Sequence, residues 1–153
     1  MRTFVLLATV FTTAVSPVTL AGQTKDESDV RAVAAAFGKA LASGDSMGAL
    51  ALLHPDVVIF EGGGWETIDD YRRGHLRADI NALQSLKQET LRHVIQISGD
   101  LALSTREYST TGTRGERVID NVGAETVVLL RTQNGWKIRH IHWSSRARRR
   151  PGS

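Results

Sequence analysis

Residues 135–145, Gly135-Trp136-Lys137-Ile138-Arg139-His140-Ile141-His142-Trp143-Ser144-Ser145, read as one strand near the end of the chain. Strict alternation places Trp136, Ile138, His140, His142 and Ser144 on one face and Lys137 and Arg139 on the other. The first face joins an apolar floor to two imidazoles, which predicts a pocket wall, while the lysine and arginine point the opposite face at water.

Working outward from this strand, the second half of the chain is all strand and hairpin. A Gln133-Asn134-Gly135 turn precedes it, and before that come strands at 116–132, 101–111 and 90–98, separated by a loop at 113–115 and a Gly99-Asp100 turn. The first half is helical. Val30, Val33, Ala34, Phe37, Ala40 and Leu41 recur at spacings of three and four in a helix over 26–43, which Ser43-Gly44-Asp45 stops. A short second helix carries Met47, Leu50 and Leu53 and ends by His54, the residue before Pro55. The β-branched and aromatic run 57–61, VVIFE, is a strand closed by Gly62, Gly63 and Gly64. A third helix starts at Thr67 and runs to about Leu86, with Ile68, Tyr71, His75, Leu76, Asp79 and Leu83 on one stripe. Helices followed by a meander of long strands predict an α+β fold, three N-terminal helices packed on one face of a curved antiparallel sheet.

The chain has 153 residues, 41% hydrophobic and 23% charged, enough apolar material for a single core. Residues 1–21 carry Arg2, an apolar run from Phe4 to Val15, the helix-breaking Pro17 and a small-residue ending at Ala21, the pattern of a cleaved export signal. That run is shorter than the roughly 20 residues a membrane span needs, so no stable membrane insertion is expected. The mature domain is then 22–145, in the periplasm or secreted, with 146–153 as a basic, disordered tail. The chain contains no cysteine, which excludes disulfides and thiolate chemistry and leaves His, Asp and Glu as metal ligands or proton-transfer groups. The formal charge of +3 is misleading. Without Arg2 and Arg146, Arg148, Arg149 and Arg150 the chain has 14 basic and 16 acidic residues, net −2, and no basic stripe that would suit nucleic acid.

The order of elements, together with Ala42-Ser43-Gly44-Asp45, the run 53–60, Gly99-Asp100-Leu101-Ala102-Leu103 and Asn134-Gly135-Trp136-Lys137-Ile138, resembles the NTF2-like superfamily, specifically its SnoaL-like and DUF4440-like domains related to ketosteroid isomerase, over residues 28–145. The resemblance implies a cone-shaped cavity between helices and sheet, and a homodimer packed through the outer sheet face. It puts the isomerase's catalytic tyrosine on Phe37, which has no hydroxyl, and its general-base aspartate on Glu61. The isomerase's second, protonated aspartate has no match. Because the superfamily includes isomerases, cyclases, epoxide hydrolases, dehydratases, oligomerisation domains and noncatalytic binders, the resemblance alone fixes no reaction.

The candidate catalytic residues are Glu61, His142 and His140. Glu61 follows a buried-looking strand on the face of Val57 and Ile59, where desolvation favours a general base; the alternative is a rim carboxylate paired with Arg72 or Arg73. Phe37, Phe60, Trp65, Tyr71, His75, Asp79 and Trp136 are expected around the ligand, with Trp65 either a lid or a packing residue. His140 and His142, two apart on a strand, are either pocket histidines bonded to neighbours or two ligands of a divalent metal completed by His75, Asp79 or Glu61. The expected function is proton transfer on a small, largely apolar molecule, which requires no cofactor. The alternatives are a noncatalytic ligand or metal binder and a dimerisation module.

Overall fold

Gly44, at φ +79, ends the first helix where the Ser-Gly-Asp signal puts its stop, because a left-handed turn there costs glycine nothing. The computed structural model describes residues 20–149, so most of segment 1–21, the expected export signal, and the last four residues lie outside it. Four helical segments come first, α1 (Leu20–Ser43), α2 (Ser46–Leu52), α3 (Ile68–Arg73) and α4 (His75–Gln84). Six strands follow or interleave: β1 (Leu53–Glu61), β2 (Gly64–Glu66), β3 (Leu86–Ser98), β4 (Leu101–Arg114), β5 (Arg117–Thr132) and β6 (Gly135–Ala147). They form one sheet in the order β2-β1-β6-β5-β4-β3. The sheet is mixed rather than antiparallel throughout, since β1 runs parallel to β6.

The single third helix expected from the sequence is broken. Thr67 caps α3 through a reciprocal bond with Asp70, but Gly74, at φ −116 and ψ −92, interrupts the helix before α4. Tyr71, Leu76 and Ile80 are buried, while His75 is turned out to solvent. The glycine-rich stretch after β1 is a tight hairpin to β2, where a loop was expected.

The sheet's inner face and the helices enclose a core that includes Val30, Phe37, Leu41, Val57, Ile59, Leu129, Ile138 and Ile141. The start of α1 is fixed to β5 by a two-pronged ion pair, Arg131 Nη1 to Asp26 Oδ1 at 2.9 Å and Nη2 to Oδ2 at 2.6 Å, with the guanidinium 4.3 Å above the Trp136 ring. The strand ending at 145 in the sequence reading continues to Ala147. Arg148 bonds to the Asp120 carbonyl at 2.9 Å and to its carboxylate at 2.9 Å, so residues 146–148 belong to the domain rather than to a tail.

One irregularity changes the reading of β6. Leu129 pairs with Ile138 and the next partner, Val128, pairs with His140, so Arg139 is an extra residue in the strand. Such a bulge reverses which side chains face inward beyond it. Trp136 and Ile138 point into the core before it, and Ile141 points inward after it. His140 and His142, opposite Val58 and Phe60 of β1, share the outer face with them.

Candidate functional site

Between the helices and the inner sheet face lies a cavity of about 630 Å³. Phe37 and Leu41 of α1, Asp79 and Leu83 of α4, Gln88 of β3, Arg106, Tyr108 and Thr110 of β4, Asn121 and Glu125 of β5 and Trp143 of β6 line it, with Glu61 and Gly62 at the β1 end. Two polar constellations occupy its walls.

In the first, the buried Tyr71 donates its hydroxyl to Asp79 Oδ2 at 2.9 Å. Tyr71 lies behind Asp79, and only Asp79 reaches the cavity. Burial pushes the Asp79 carboxyl up to about 6, with Glu61 and Glu66 adding to the rise while the Tyr71 hydrogen bond and His75 oppose it. Burial, then Asp79 itself, with Glu61 and Glu66 behind it, push the Tyr71 hydroxyl far above its ordinary range, so it stays a donor. Among the described residues Asp79 Oδ1 accepts no hydrogen bond.

In the second, Glu125 is held from three directions. Arg106 reaches it with Nε to Oε1 at 3.0 Å and Nη2 to Oε2 at 3.2 Å, and Trp143 donates Nε1 to Oε2 at 2.8 Å. Arg106 Nη2 also lies 3.4 Å from Gln88 Oε1, and its guanidinium sits 4.7 Å above the Tyr108 ring. Phe37 and Trp143 stack with centroids 6.3 Å apart, forming a flat apolar wall. Tyr108 lies across Gly123, where an added Cβ would come within 2.4 Å of the ring. Next to this network, His93 Nδ1 accepts from Arg31 Nη1 at 2.8 Å; arginine only donates, so the ring proton sits on Nε2 and bonds Ser104 Oγ at 2.8 Å.

The residues expected from the sequence divide accordingly. Phe37, Asp79 and Glu61 line the cavity, Glu61 as an exposed carboxylate at its mouth without the burial expected for it. Arg72 and Arg73 pair with Asp69 and Asp70, not with Glu61. Phe60 is on the outer face, where its ring lies 5.6 Å from His140 and 6.4 Å from His142; His142 touches the cavity only at the sheet's open end. The Arg139 bulge is the reason for the correction to the two histidines, whereas Phe60 faces outward by the plain alternation of β1 that buries Val57 and Ile59. Trp136 is core beneath Arg131, and Trp65 is 62% exposed on β2. His75 pairs with Glu66 at 2.6 Å, and no three His, Asp or Glu side chains among the described residues group as metal ligands, so His75 does not join His140 and His142. Arg106, Tyr108, Glu125 and Trp143 were missed. The first two had a readable signal, since Ala102, Ser104, Arg106, Tyr108 and Thr110 alternate on one face of β4, and all but Arg106 are buried.

The model of the SnoaL-like domain family matches residues 30–148, nearly the whole of the fold just described. The chain belongs to that family. A solved structure described as a candidate ketosteroid isomerase, from Shewanella frigidimarina, is 35% identical to this SnoaL-like chain, with a TM-score of 0.73 over 78% of this chain and 97% of that one. A candidate dehydratase of the NTF2-like family, from Streptomyces avermitilis, shares the fold at 20% identity and a TM-score of 0.71, covering 82% of this chain and 99% of its own. The CaMKII hub of S. rosetta does so at 23% identity and a TM-score of 0.66, covering 78% and 95%. No curated protein sequence matches this SnoaL-like chain. No helix among the described residues is long and apolar enough to cross a membrane.

Proposed function

We propose that the chain is exported and that its cavity binds a small, largely apolar molecule on which Asp79 moves a proton, the chemistry of an isomerase, dehydratase, cyclase or lyase. The observation that carries this reading is the Tyr71–Asp79 pair on the cavity wall. A general base is most effective when its pKa lies near the working pH, and Asp79 is raised to about 6 with one oxygen held by Tyr71 and the other unengaged. Glu61, the base first expected, serves at the mouth as the like charge that helps raise Asp79. The Shewanella relative's name agrees with proton transfer next to a carbonyl.

The test is deuterium exchange of the acidic C–H of a panel of cyclic ketones, followed by NMR. Wild type is expected to accelerate exchange for at least one of them, and Asp79→Asn to lose about a hundredfold or more of that acceleration with the circular dichroism spectrum unchanged. Equal rates for the two proteins would remove the proposal. Intact-mass measurement of the exported protein, expected to start at Gly22, tests the signal.

A homodimer through the outer sheet face is part of the same proposal. Val94, Leu101 and Leu103 are exposed on that face alongside Phe60, and such a patch is usually covered. The S. rosetta neighbour is a hub and a C. elegans neighbour an association domain. Sedimentation of wild type as a dimer and of Leu103→Lys as a monomer is the expected pair of results; a monomeric wild type would remove this part.

A further inference from the structure

We infer that the free end of the β4–β5 hairpin and the last residues of β6 form a docking surface for an anionic lipid bilayer, which the protein touches from outside without crossing it.

This end of the sheet differs in charge from the rest of the molecule. The strand ends 110–121 and 144–149 carry Arg114, Arg117, Arg146, Arg148 and Arg149 against Glu116 and Asp120, a net of +3, while the other described residues carry 12 basic and 14 acidic side chains. The backbone bond from Arg148 to the Asp120 carbonyl lays the basic run after Ser145 alongside the start of β5, so arginines far apart in sequence join one patch. Of the five, only Arg148 has a carboxylate partner among the described residues, Asp120 at 2.9 Å. Arg114 and Arg117 stand directly opposite each other across the turn Gly115-Glu116. Like charges facing each other on paired strands destabilise a hairpin, and an anion brought from outside relieves that repulsion.

Shape decides which kind of anion. β3 pairs with β4 only as far as Gly112 and β6 with β5 only as far as Asn121, so among the described residues 113–118 pair only with one another and the hairpin stands clear of its neighbours. All six are exposed. Val118, 69% exposed, shares the strand face of Asp120, to which Arg148 is bonded, and Arg114 and Arg117 lie on the opposite face. A projecting apolar residue with arginines on both sides of it suits a plane, where the valine enters the headgroup layer and the guanidinium groups stay at the lipid phosphates. Each arginine held near an anionic leaflet strengthens partition about fivefold. A single-stranded nucleic acid is held in a groove by stacking side chains, and these strand ends contain no aromatic residue. Arg114 and Ile119 also line the cavity, which places the docking surface at its rim. Docking is independent of proton transfer by Asp79, and each has its own assay.

The test is vesicle co-sedimentation of the protein as isolated from its producing cells, on phosphatidylcholine alone and with about 30% phosphatidylglycerol, at about 0.1 M and about 0.5 M salt. Binding is expected only to the anionic vesicles and only at the lower salt; equal binding to both lipids, or binding to neither, overturns the surface without any variant. Arg117→Glu/Arg149→Glu is expected to weaken binding about 30-fold or more, whereas Lys39→Glu/Arg77→Glu, the same charge change on exposed residues of α1 and α4, should keep it within about threefold. Equal losses in the two folded double variants overturn the location. Val118→Trp adds a reporter at the tip, expected to be quenched by brominated phosphatidylglycerol beyond the level of wild type; no added quenching overturns the apolar contact. Binding of heparin without binding of vesicles would assign the arginines to a soluble polyanion and overturn the bilayer as partner. Attachment through the apolar run 4–15 needs neither phosphatidylglycerol nor Arg117, so it cannot imitate the expected pattern.

Discussion

The two halves of β6 obey opposite rules. Up to Ile138 the strand does what alternation predicts, burying Trp136 and Ile138; beyond Arg139 the parity reverses, so that Ile141 and Trp143 face inward and the imidazoles of His140 and His142 face out beside Phe60. One inserted residue thus exchanges a histidine-lined pocket for one whose end wall is an indole bonded to Glu125. The lesson is that a strand's chemistry is set by its register against its neighbours, and the composition of a face follows from that.

Removing the bulge is the strongest way to break this contrast. Deleting Arg139 forces Ile141 and Trp143 off the core or shifts the whole strand end, and the loss of the buried Ile141, at about 2–5 kcal/mol, together with the half-buried Trp143 is comparable to the entire stability of such a domain. The deletion variant is expected to be unfolded by circular dichroism; a native melt would show that β6 keeps its parity by other means. Next in size, Glu125→Ala strips the partner from Arg106 and from the Trp143 N–H together. It should cost about 3 kcal/mol in urea unfolding, because the charge left behind is largely out of water.

Asp79 should respond in the reverse direction. Its folded-state pKa is raised above the unfolded value of 3.8 to about 6, so folding favours the protonated form: its contribution is fully present below about 4 and is lost as pH climbs through 6. Asp79→Asn is therefore expected to gain about 1 kcal/mol relative to wild type at pH 8, discounted for partial exposure, and nothing at pH 3.5. A gain that does not depend on pH would contradict the raised carboxyl. His93 has the opposite sign. Burial first, then Arg31 and Arg106, hold its pKa below the ordinary value of 6.5, so stability falls as pH drops below about that value, and His93→Gln should flatten this acid limb. Smallest of all, His142→Gln should leave Asp79-dependent exchange nearly unchanged, since its ring packs beside Phe60 and meets the cavity only at the sheet's open end; a tenfold loss would return the histidine to the site.

Most of the fold was legible because its signals are local. The glycine stop at Gly44, the Thr67 cap with Asp70 three residues on, and the turns at Gly99 and Gly135 each act within a few residues, and each appears where the sequence puts it. What escaped depends on pairing across the chain. Nothing near Arg139 marks it as a bulge; the extra residue shows only when Ile138 and His140 are matched against Leu129 and Val128. The Gly74 break between α3 and α4 does not show in a periodicity that reads as one long helix, and His75, at the first position of α4, is exposed and paired with Glu66. The site was half readable. Phe37, Glu61 and Asp79 came from helix and strand periodicity, whereas the Arg106–Glu125 pair joins residues 19 apart in sequence across two strands, a match that alternation can orient but not register.

Gly123 gives the cavity an unusual kind of adjustability. The Tyr108 ring rests where a side chain at Gly123 would be, so even a methyl group there cannot coexist with the ring's present position. A substitution on β5 would thus lift the phenol of β4 toward the helices, shortening the space above it and re-aiming its hydroxyl, with no change to any residue that lines the cavity. The shape of the cavity is therefore steered from the sheet's floor, by a residue whose contribution is the volume it leaves empty.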